Sequence, residues 1–267
     1  KGGEILLYAY AQVSNKKRES EQPMENNVKN RVIVITGGST GIGKETARLF
    51  AGKGAVPIAL SRNIEKLRKT KEELEKEGLN LNIYACDVSK YEEVKSFVST
   101  IINTYGHIDI LINNAGLGYK VPVEDMTVEQ FDEMMNTNIK GVFLMTRYVL
   151  PHMKARKEGY IINISSGAGR NGIANMSGYC ASKFALMGFT ESVALEAKPF
   201  NVRVSVLCPG STSSEFHQNI GSNPDKTARE AMIQPEDIAD TIHHMVIQPE
   251  RYWIFEVVTR AFMAGRK

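Results

Sequence analysis

Short apolar runs rich in valine and isoleucine alternate with helical stretches from residue 31 to about residue 258. The runs RVIVIT, AVPIALS, IDILINN and VRVSVLC are nearly continuous in apolar residues, as are strands that are buried on both faces. Strands that alternate with helices in this way form a parallel sheet covered by helices on both sides. No linker rich in Pro, Gly or Ser interrupts the region. The pattern therefore predicts an α/β fold with one doubly wound parallel sheet in a single domain.

The first 23 residues do not continue this pattern, because they end in the polar run NKKRESEQP. Met24 then opens a segment that leads directly into the first predicted strand. We therefore expect residues 1–23 to be a flexible, functionally silent extension, either upstream of the natural start or foreign to it. Residues 24–267 are expected to form the domain.

Charge and composition favour a cytoplasmic protein that acts on small molecules. The 33 Lys and Arg exceed the 30 Asp and Glu by only three, and their dispersed positions do not favour binding to nucleic acid or to an acidic membrane surface. No apolar run approaches the roughly 18 residues that a membrane span requires. The three cysteines are far apart and lack the spacing of a metal site, so free thiols and no bound metal are expected.

The segment YCASK places Tyr179 and Lys183 four residues apart. In a helix these two side chains lie on the same face, so the ammonium can sit beside the phenol. A nearby positive charge favours the phenolate and brings the tyrosine pKa toward the range useful for proton transfer. Alone, the pair also fits an ordinary amphipathic helix.

The segment TGGSTGIG, residues 36–43, follows the first predicted strand and opens a helix. Gly37, Gly41 and Gly43 allow a tight turn and a close approach to a pyrophosphate, which would meet the exposed amides of the helix. The alternative is a glycine-rich turn that binds nothing.

These two motifs and NNAG at residues 113–116 resemble the short-chain dehydrogenase/reductase family over roughly residues 30–258. The resemblance implies a Rossmann-type fold and hydride transfer between a nicotinamide and a carbonyl or alcohol carbon. It implies that Tyr179 is the general acid in reduction, and that Lys183 lowers its pKa and binds the nicotinamide ribose. Ser166, thirteen residues before Tyr179, would hydrogen-bond the substrate oxygen, with Ser165 a structural hydroxyl. Asn138 in NTNIKG would maintain a proton path through water.

The end of the second strand predicts the cofactor. NAD enzymes place an acidic residue there to bind the ribose hydroxyls, whereas this chain has Ser61 followed by Arg62. A guanidinium can hold a 2′-phosphate, so we expect NADP, although Arg62 could also simply face solvent. Ser214 stands where the family usually has threonine. The expected cofactor contacts are Gly37, Ser39, Thr40, Gly41, Ile42, Gly43, Ser61, Arg62, Asp87, Val88, Asn114, Ala115, Gly116, Tyr179, Lys183, Pro209, Gly210 and Ser214.

The expected substrate is a small hydroxy acid, ketone or aldehyde. The segment STSSEFHQNIGSNPDKTARE after the sixth strand is polar and glycine-containing, as a mobile lid is, and argues against a steroid-sized ligand. Arg170 could reach a substrate carboxylate, or it could be an exposed loop arginine. A 3-oxoacyl thioester reductase and a catalytically inactive dinucleotide-binding sensor are the alternatives.

Small residues form a stripe on the YCASK helix, at Ala181, Ala185, Gly188 and Ser192. Such a stripe lets another backbone approach closely, either from the chain's own sheet or from a second subunit. The family resemblance favours the subunit, so a homodimer or homotetramer is expected.

Overall fold

The computed structural model describes residues 28–222 and 224–262; the predicted extension, residues 1–23, lies outside them. Seven strands form one sheet in the order β3-β2-β1-β4-β5-β6-β7, and every neighbouring pair is parallel. The predicted single-domain, doubly wound α/β fold is confirmed. The strands are β1 Val32–Thr36, β2 Val56–Ser61, β3 Asn82–Ala85, β4 Ile110–Asn113, β5 Gly159–Ile164, β6 Val202–Cys208 and β7 Glu256–Val258.

Helices cover both faces of the sheet. They are α1 Gly41–Gly52, α2 Ile64–Lys76, α3 Tyr91–Tyr105, α4 Val128–Met135, α5 Gly141–Arg156, α6 Ser177–Ala197, α7 Phe216–Asn219, α8 Lys226–Glu230 and α9 Pro235–Val246. A π-helical segment, Asn136–Lys140, joins α4 to α5. Within the described residues no helix is long and apolar enough to cross a bilayer.

The continuous apolar character of the strands reflects two cores, one on each face of the sheet. Along β1, Val32 and Val34 belong to the core that α3, α5 and α6 cover, whereas Ile33 and Ile35 belong to the core under α1, α2 and α9. Successive strand residues point to opposite faces, so both sets are withdrawn from water. Pro57 lies second in β2, near the start of the strand, where a missing amide donor costs little.

The order of the strands reverses between β1 and β4, and this creates a crevice at their carboxyl ends. Hydrogen bonds tie the two loops that leave this point. The Thr36 hydroxyl accepts from the amides of Asn114 (2.9 Å) and Ala115 (2.8 Å). The Asn114 side-chain amide donates to the carbonyls of Thr36 (3.0 Å) and Gly37 (3.2 Å). The mouth of the crevice is therefore held at a fixed width.

A buried polar chain fastens α6 to the middle of the sheet. The Asn113 side-chain amide donates to the side-chain oxygen of Asn163 on β5 at 2.9 Å. The Asn163 amide in turn donates to the hydroxyl of Thr190 on α6 at 2.9 Å. Because α6 carries Tyr179 and Lys183, these bonds fix where both side chains enter the crevice.

The small residues of α6 do not pack against the chain's own sheet. Ala181, Ala185, Gly188 and Ser192 are all exposed, which excludes that alternative. Phe184 of the same helix is 47% exposed.

A stability prediction follows from Asp109, which is only 4% exposed just before β4. Its carboxylate accepts from the Val32 amide at 2.8 Å and from Arg156 at 3.1 Å. Replacement with Ala leaves a buried amide without an acceptor, so Asp109→Ala should lower the free energy of unfolding by about 1–3 kcal/mol in urea titrations. Glu158→Ala removes an exposed partner of the same arginine and should cost much less. Equal losses in the two variants would contradict this role for Asp109.

Candidate active site

A cavity of about 590 Å³ opens at the carboxyl ends of the strands, along the crevice between β1 and β4. The loops that follow β1 to β6 all contribute to its wall. The structure brings together almost every predicted site residue there: Gly37, Ser39, Thr40, Gly41, Ile42, Ser61, Arg62, Asp87, Val88, Asn114, Ala115, Gly116, Ser166, Tyr179, Lys183, Pro209, Gly210 and Ser214. Gly43 and Asn138 do not line the cavity.

The packing of the glycine turn explains why Gly43 does not line the cavity. Gly37 has a positive φ of 65°, and a Cβ there would lie 2.9 Å from Cα of Ala115. A Cβ on Gly43 would lie 2.3 Å from the Gly37 carbonyl oxygen. The lack of a side chain at Gly43 thus lets α1 pack against the turn, and its predicted contact with the cofactor stays a prediction. No side chain caps the first turn of α1 and no acidic residue lies in it, so its amides and positive dipole end suit an anion.

Two basic residues lie at the end of the cavity next to β2. The side chain of Arg62 is 57% exposed and its Nη1 lies 3.3 Å from Oε1 of Glu133 on α4. The Lys66 ammonium on α2 lies 3.0 Å from Oε2 of Glu215 in the loop after β6. Ser61, at the position where an acidic residue would select NAD, accepts a hydrogen bond from the Ser39 hydroxyl at 3.3 Å. The sequence prediction missed Lys66, although its position four residues after Arg62 at a helix start is a usable signal.

Asp87 lines the cavity, but its carboxylate also accepts hydrogen bonds within its own loop. Oδ1 accepts from the amide of Ser89 at 2.9 Å and from its hydroxyl at 2.7 Å, as a turn cap does. Val88 forms the adjacent wall. The side chain of Asp87 therefore shapes the loop after β3 as well as facing the cavity.

Tyr179 and Lys183 lie one turn apart on α6 and are 7% and 4% exposed. The Lys183 ammonium donates to the Ile164 carbonyl at 2.9 Å and lies 5.8 Å from the centre of the Tyr179 ring. Ser166 hydrogen-bonds to Tyr179. Ser165 instead donates to the Lys183 carbonyl at 3.3 Å, a structural position. The structure thus places Ser166, rather than Ser165, at the phenol.

Burial dominates the acid–base properties of this pair. It raises the pKa of Tyr179 to about 12, although the hydrogen bond from Ser166 opposes this, and lowers the pKa of Lys183 to about 8. The expected lowering of the Tyr179 pKa by Lys183 is therefore not found in the chain alone, where the only opposing contribution comes from Ser166. At neutral pH the phenol is protonated, which is the form that donates a proton.

Asn138 lies in the π-helical segment and is fully buried. Its side chain accepts from the Leu117 amide at 2.9 Å, and donates to the Leu117 carbonyl at 2.8 Å and to the Ser182 hydroxyl at 2.9 Å. Asn138 therefore joins the loop after β4 to α6. The helical pattern of the sequence gave no sign of the π-helical turn, a feature that is frequent at functional sites.

Beyond Tyr179 the cavity becomes apolar. The ring of Phe216 on α7 lies 5.2 Å from the Tyr179 ring, and Met176, Ala168, Leu117 and Ile220 belong to the same cluster. Sequence reasoning assigned none of these residues to the site. Arg170 lies outside the cavity wall, where its guanidinium pairs with Glu256 on β7, as the exposed-loop alternative held.

This arrangement combines an anion-binding helix end, a pair of cations and a buried proton donor along one crevice. The turn at Gly37 and the first-turn amides of α1 fit a pyrophosphate, and the wall from Arg62 to Lys183 fits an extended dinucleotide. The geometry therefore suits a nicotinamide dinucleotide whose reactive ring lies near Tyr179.

Known proteins share both the sequence and the fold. The profile of the family described as short chain dehydrogenase matches residues 31–225. An uncharacterized oxidoreductase of Staphylococcus saprophyticus is 34% identical over 241 residues, which cover 88% of this chain and 97% of that protein. The 3-oxoacyl-acyl-carrier-protein reductase of Thermotoga maritima is 32% identical, and the match covers 85% of this chain and 95% of that protein.

Among solved structures, a metagenomic short-chain oxidoreductase in complex with NADP superposes with a TM-score of 0.77 at 34% identity. The match covers 90% of this chain and 99% of that one. Sequence profile, full-length relatives and fold agree with the motifs on which the resemblance was based, so the chain belongs to the short-chain dehydrogenase/reductase family of oxidoreductases.

Proposed function

We propose that the protein transfers a hydride between NADP(H) and the carbonyl carbon, or the corresponding secondary alcohol carbon, of a small substrate such as a ketone, aldehyde or hydroxy acid. The observation that carries the proposal is the convergence of Tyr179, Ser166 and Lys183 at one end of a crevice whose other end has two cations. The bound nicotinamide supplies or accepts the hydride.

Each residue of the site has a separate task in this reaction. Tyr179 donates a proton from its hydroxyl to the substrate oxygen, and the raised pKa keeps that proton in place at neutral pH. Ser166 donates a hydrogen bond to the same oxygen and stabilises the charge that develops there. Lys183 holds the ribose hydroxyls from the floor of the cavity. Asn138 bonds the loop at Leu117 to helix α6 and so holds the two together. It would also maintain the water path by which Tyr179 regains its proton.

The preference for NADP rests on the end of the cavity next to β2. Ser61, instead of an acidic residue, ends that strand, and Arg62 and Lys66 line the cavity beside it, where they could hold a 2′-phosphate. The related metagenomic oxidoreductase was solved in complex with NADP, which supports the same choice.

Reduction of a 3-oxoacyl thioester is the second candidate, because a relative with that name matches 85% of the chain. An inactive dinucleotide-binding sensor is disfavoured, since the positions of Asn138, Ser166, Tyr179 and Lys183 are all filled as catalysis requires.

Loss of the proton donor tests the catalytic assignment. Tyr179→Phe should lower kcat by a factor of about 10² to 10⁴ and leave the NADPH dissociation constant nearly unchanged, because only the hydroxyl is removed. Lys183→Ala should impair both quantities. The exposed Tyr252→Phe is the matched control. Retention of most activity by Tyr179→Phe, measured by NADPH absorbance, would remove Tyr179 from the mechanism.

Cofactor selection is tested by the double change Ser61→Asp with Arg62→Leu. The aspartate repels a 2′-phosphate and accepts from ribose hydroxyls, so preference should move from NADPH toward NADH by roughly ten- to a hundredfold in kcat/KM. Arg68→Leu removes an arginine of α2 outside the cavity wall and should leave the ratio unchanged. Equal use of both cofactors by the parent would overturn the role of Arg62.

We also propose that the exposed stripe of α6 forms the interface of a homodimer or homotetramer. Ala185→Arg places a long charged side chain in the middle of the stripe and should yield monomers in light scattering without loss of the folded circular dichroism spectrum. Glu72→Arg on the exposed face of α2 serves as the control. A parent that is monomeric at all concentrations would refute the interface.

A further inference from the structure

The side chains beyond Tyr179 define the chemical class of the substrate. Resting on the proposed function, we infer that the substrate is an uncharged ketone or aldehyde with apolar substituents, and that carbonyl compounds bearing a carboxylate are poor substrates. This narrows the expected range by removing the hydroxy acids and their oxo counterparts.

The apolar cluster at this end is built from distant parts of the chain. Met134 of α4, Ala168 and Met176 are nearly fully buried and pack beside Tyr179. Leu117 and Phe216 close the cluster from the loop after β4 and from the lid. A Cβ placed on Gly118 would lie 2.9 Å from both the Phe216 ring and the Tyr179 ring, so the three meet at one point. Groups attached to a carbonyl held at Tyr179 therefore lie against hydrocarbon and sulfur.

Most charged side chains of the cavity wall lie away from this cluster; the exception is Lys183, whose ammonium lies 5.8 Å from the centre of the Tyr179 ring. Arg62 and Lys66 are at the end of β2, Asp87 follows β3, and Lys183 is bonded to the Ile164 carbonyl. Glu215 directly precedes Phe216 and is paired with the Lys66 ammonium at 3.0 Å, so this pair presents little net charge to the apolar end. Among the described residues, the apolar cluster itself contains no cationic side chain that could pair with a substrate carboxylate.

The nearest basic groups do not supply that charge. Arg170 is bonded to Glu256 outside the wall, and the Arg229 Nε donates to the Pro224 carbonyl. His217 lines the cavity, but burial lowers its pKa; a hydrogen bond with the Thr212 backbone opposes this effect and the charge of Arg229 adds to it. The net lowering favours the neutral imidazole at pH 7, which can offer a carboxylate a hydrogen bond but no full positive charge.

A carboxylate that leaves water for such a surface loses its hydration and gains no partner, whereas an alkyl group gains free energy from the same transfer. Methionine side chains adapt to irregular shapes, and Met176 lines the cavity, with Met126 and Met134 packed in the same cluster behind the wall. We therefore expect tolerance toward different alkyl and aryl groups, combined with discrimination against charge.

Matched substrate pairs test the inference. NADPH consumption is measured with methyl 5-oxohexanoate against 5-oxohexanoate, and with ethyl 3-oxobutanoate against 3-oxobutanoate. Each ester should exceed its acid in kcat/KM by about a hundredfold or more, as the cost of desolvating an unpaired charge implies. Acids used as well as their esters would overturn the inference and leave the oxidoreductase function intact. A protein that binds NADPH but reduces neither member of any pair would also overturn it, whereas one that does not bind NADPH would overturn the proposed function itself.

A gain-of-charge variant separates charge from shape. Ile173 lines the cavity and is 47% exposed, so Ile173→Arg places a guanidinium at the mouth without disturbing a core. The ratio of acid to ester in kcat/KM should rise several-fold in Ile173→Arg but not in Ile173→Gln, which is polar and uncharged. Val123→Arg, at an exposed position outside the wall, is the positional control. An equal rise in the Arg and Gln variants at residue 173 would overturn the electrostatic basis of the inference.

Discussion

The hydrogen bonds between Thr36 and Asn114 are the constraint on which the site depends. They join the first residues after β1 to those after β4, at the point where the strand order reverses. A parallel sheet leaves a crevice at such a point, but sheet geometry alone does not fix its width. The threonine hydroxyl and the asparagine amide do so with four short bonds, and the glycine turn and the NNAG loop are thereby held at one separation.

Buried side-chain amides then connect the crevice to α6, the helix that bears Tyr179. Asn113 and Asn163 link β4 and β5 to Thr190 of α6, and Asn138 links the loop after β4 to Ser182 of the same helix. Burying amides costs free energy unless their groups are paired. The amide nitrogens of all three asparagines are paired by these bonds, whereas the Asn113 side-chain oxygen is buried without a partner, so the link to the helix that carries Tyr179 is kept at some cost in free energy. In the proposed reaction, whose hydride comes from the cofactor, the protein's main contribution would be to fix the proton donor in this way.

The sequence was sufficient for the fold and for most of the cavity wall, because both are encoded locally. Apolar runs mark β1, β4 and β6, the motifs around Gly37 and Asn114 fall where strands end, and the motif around Tyr179 lies in the first turn of α6. The features that could not be predicted from the sequence depend on contacts between distant segments. Met134, Met176 and Phe216 meet only in the folded chain, so the polar composition of the lid concealed an apolar inner face. The salt bridge of Arg170 and Glu256 spans 86 residues, and the tight packing that requires Gly43 is likewise invisible in a spacing pattern.

Two salt bridges also connect the two ends of the cavity. Arg62 and Lys66 are each paired with a carboxylate, and both carboxylates belong to elements that border the apolar end. Glu133 accepts a hydrogen bond from the Tyr119 hydroxyl at 2.5 Å through its second oxygen, and Tyr119 packs against the cluster around Tyr179. If NADP binds as proposed, its 2′-phosphate must compete with Glu133 and Glu215 for the two cations. The net gain from the phosphate is then smaller than that of binding to free cations, since exchange of one anionic partner for another conserves much of the Coulomb energy. The proposed preference for NADP thus depends on the difference between phosphate and carboxylate as partners, together with the serine, instead of an acid, at position 61.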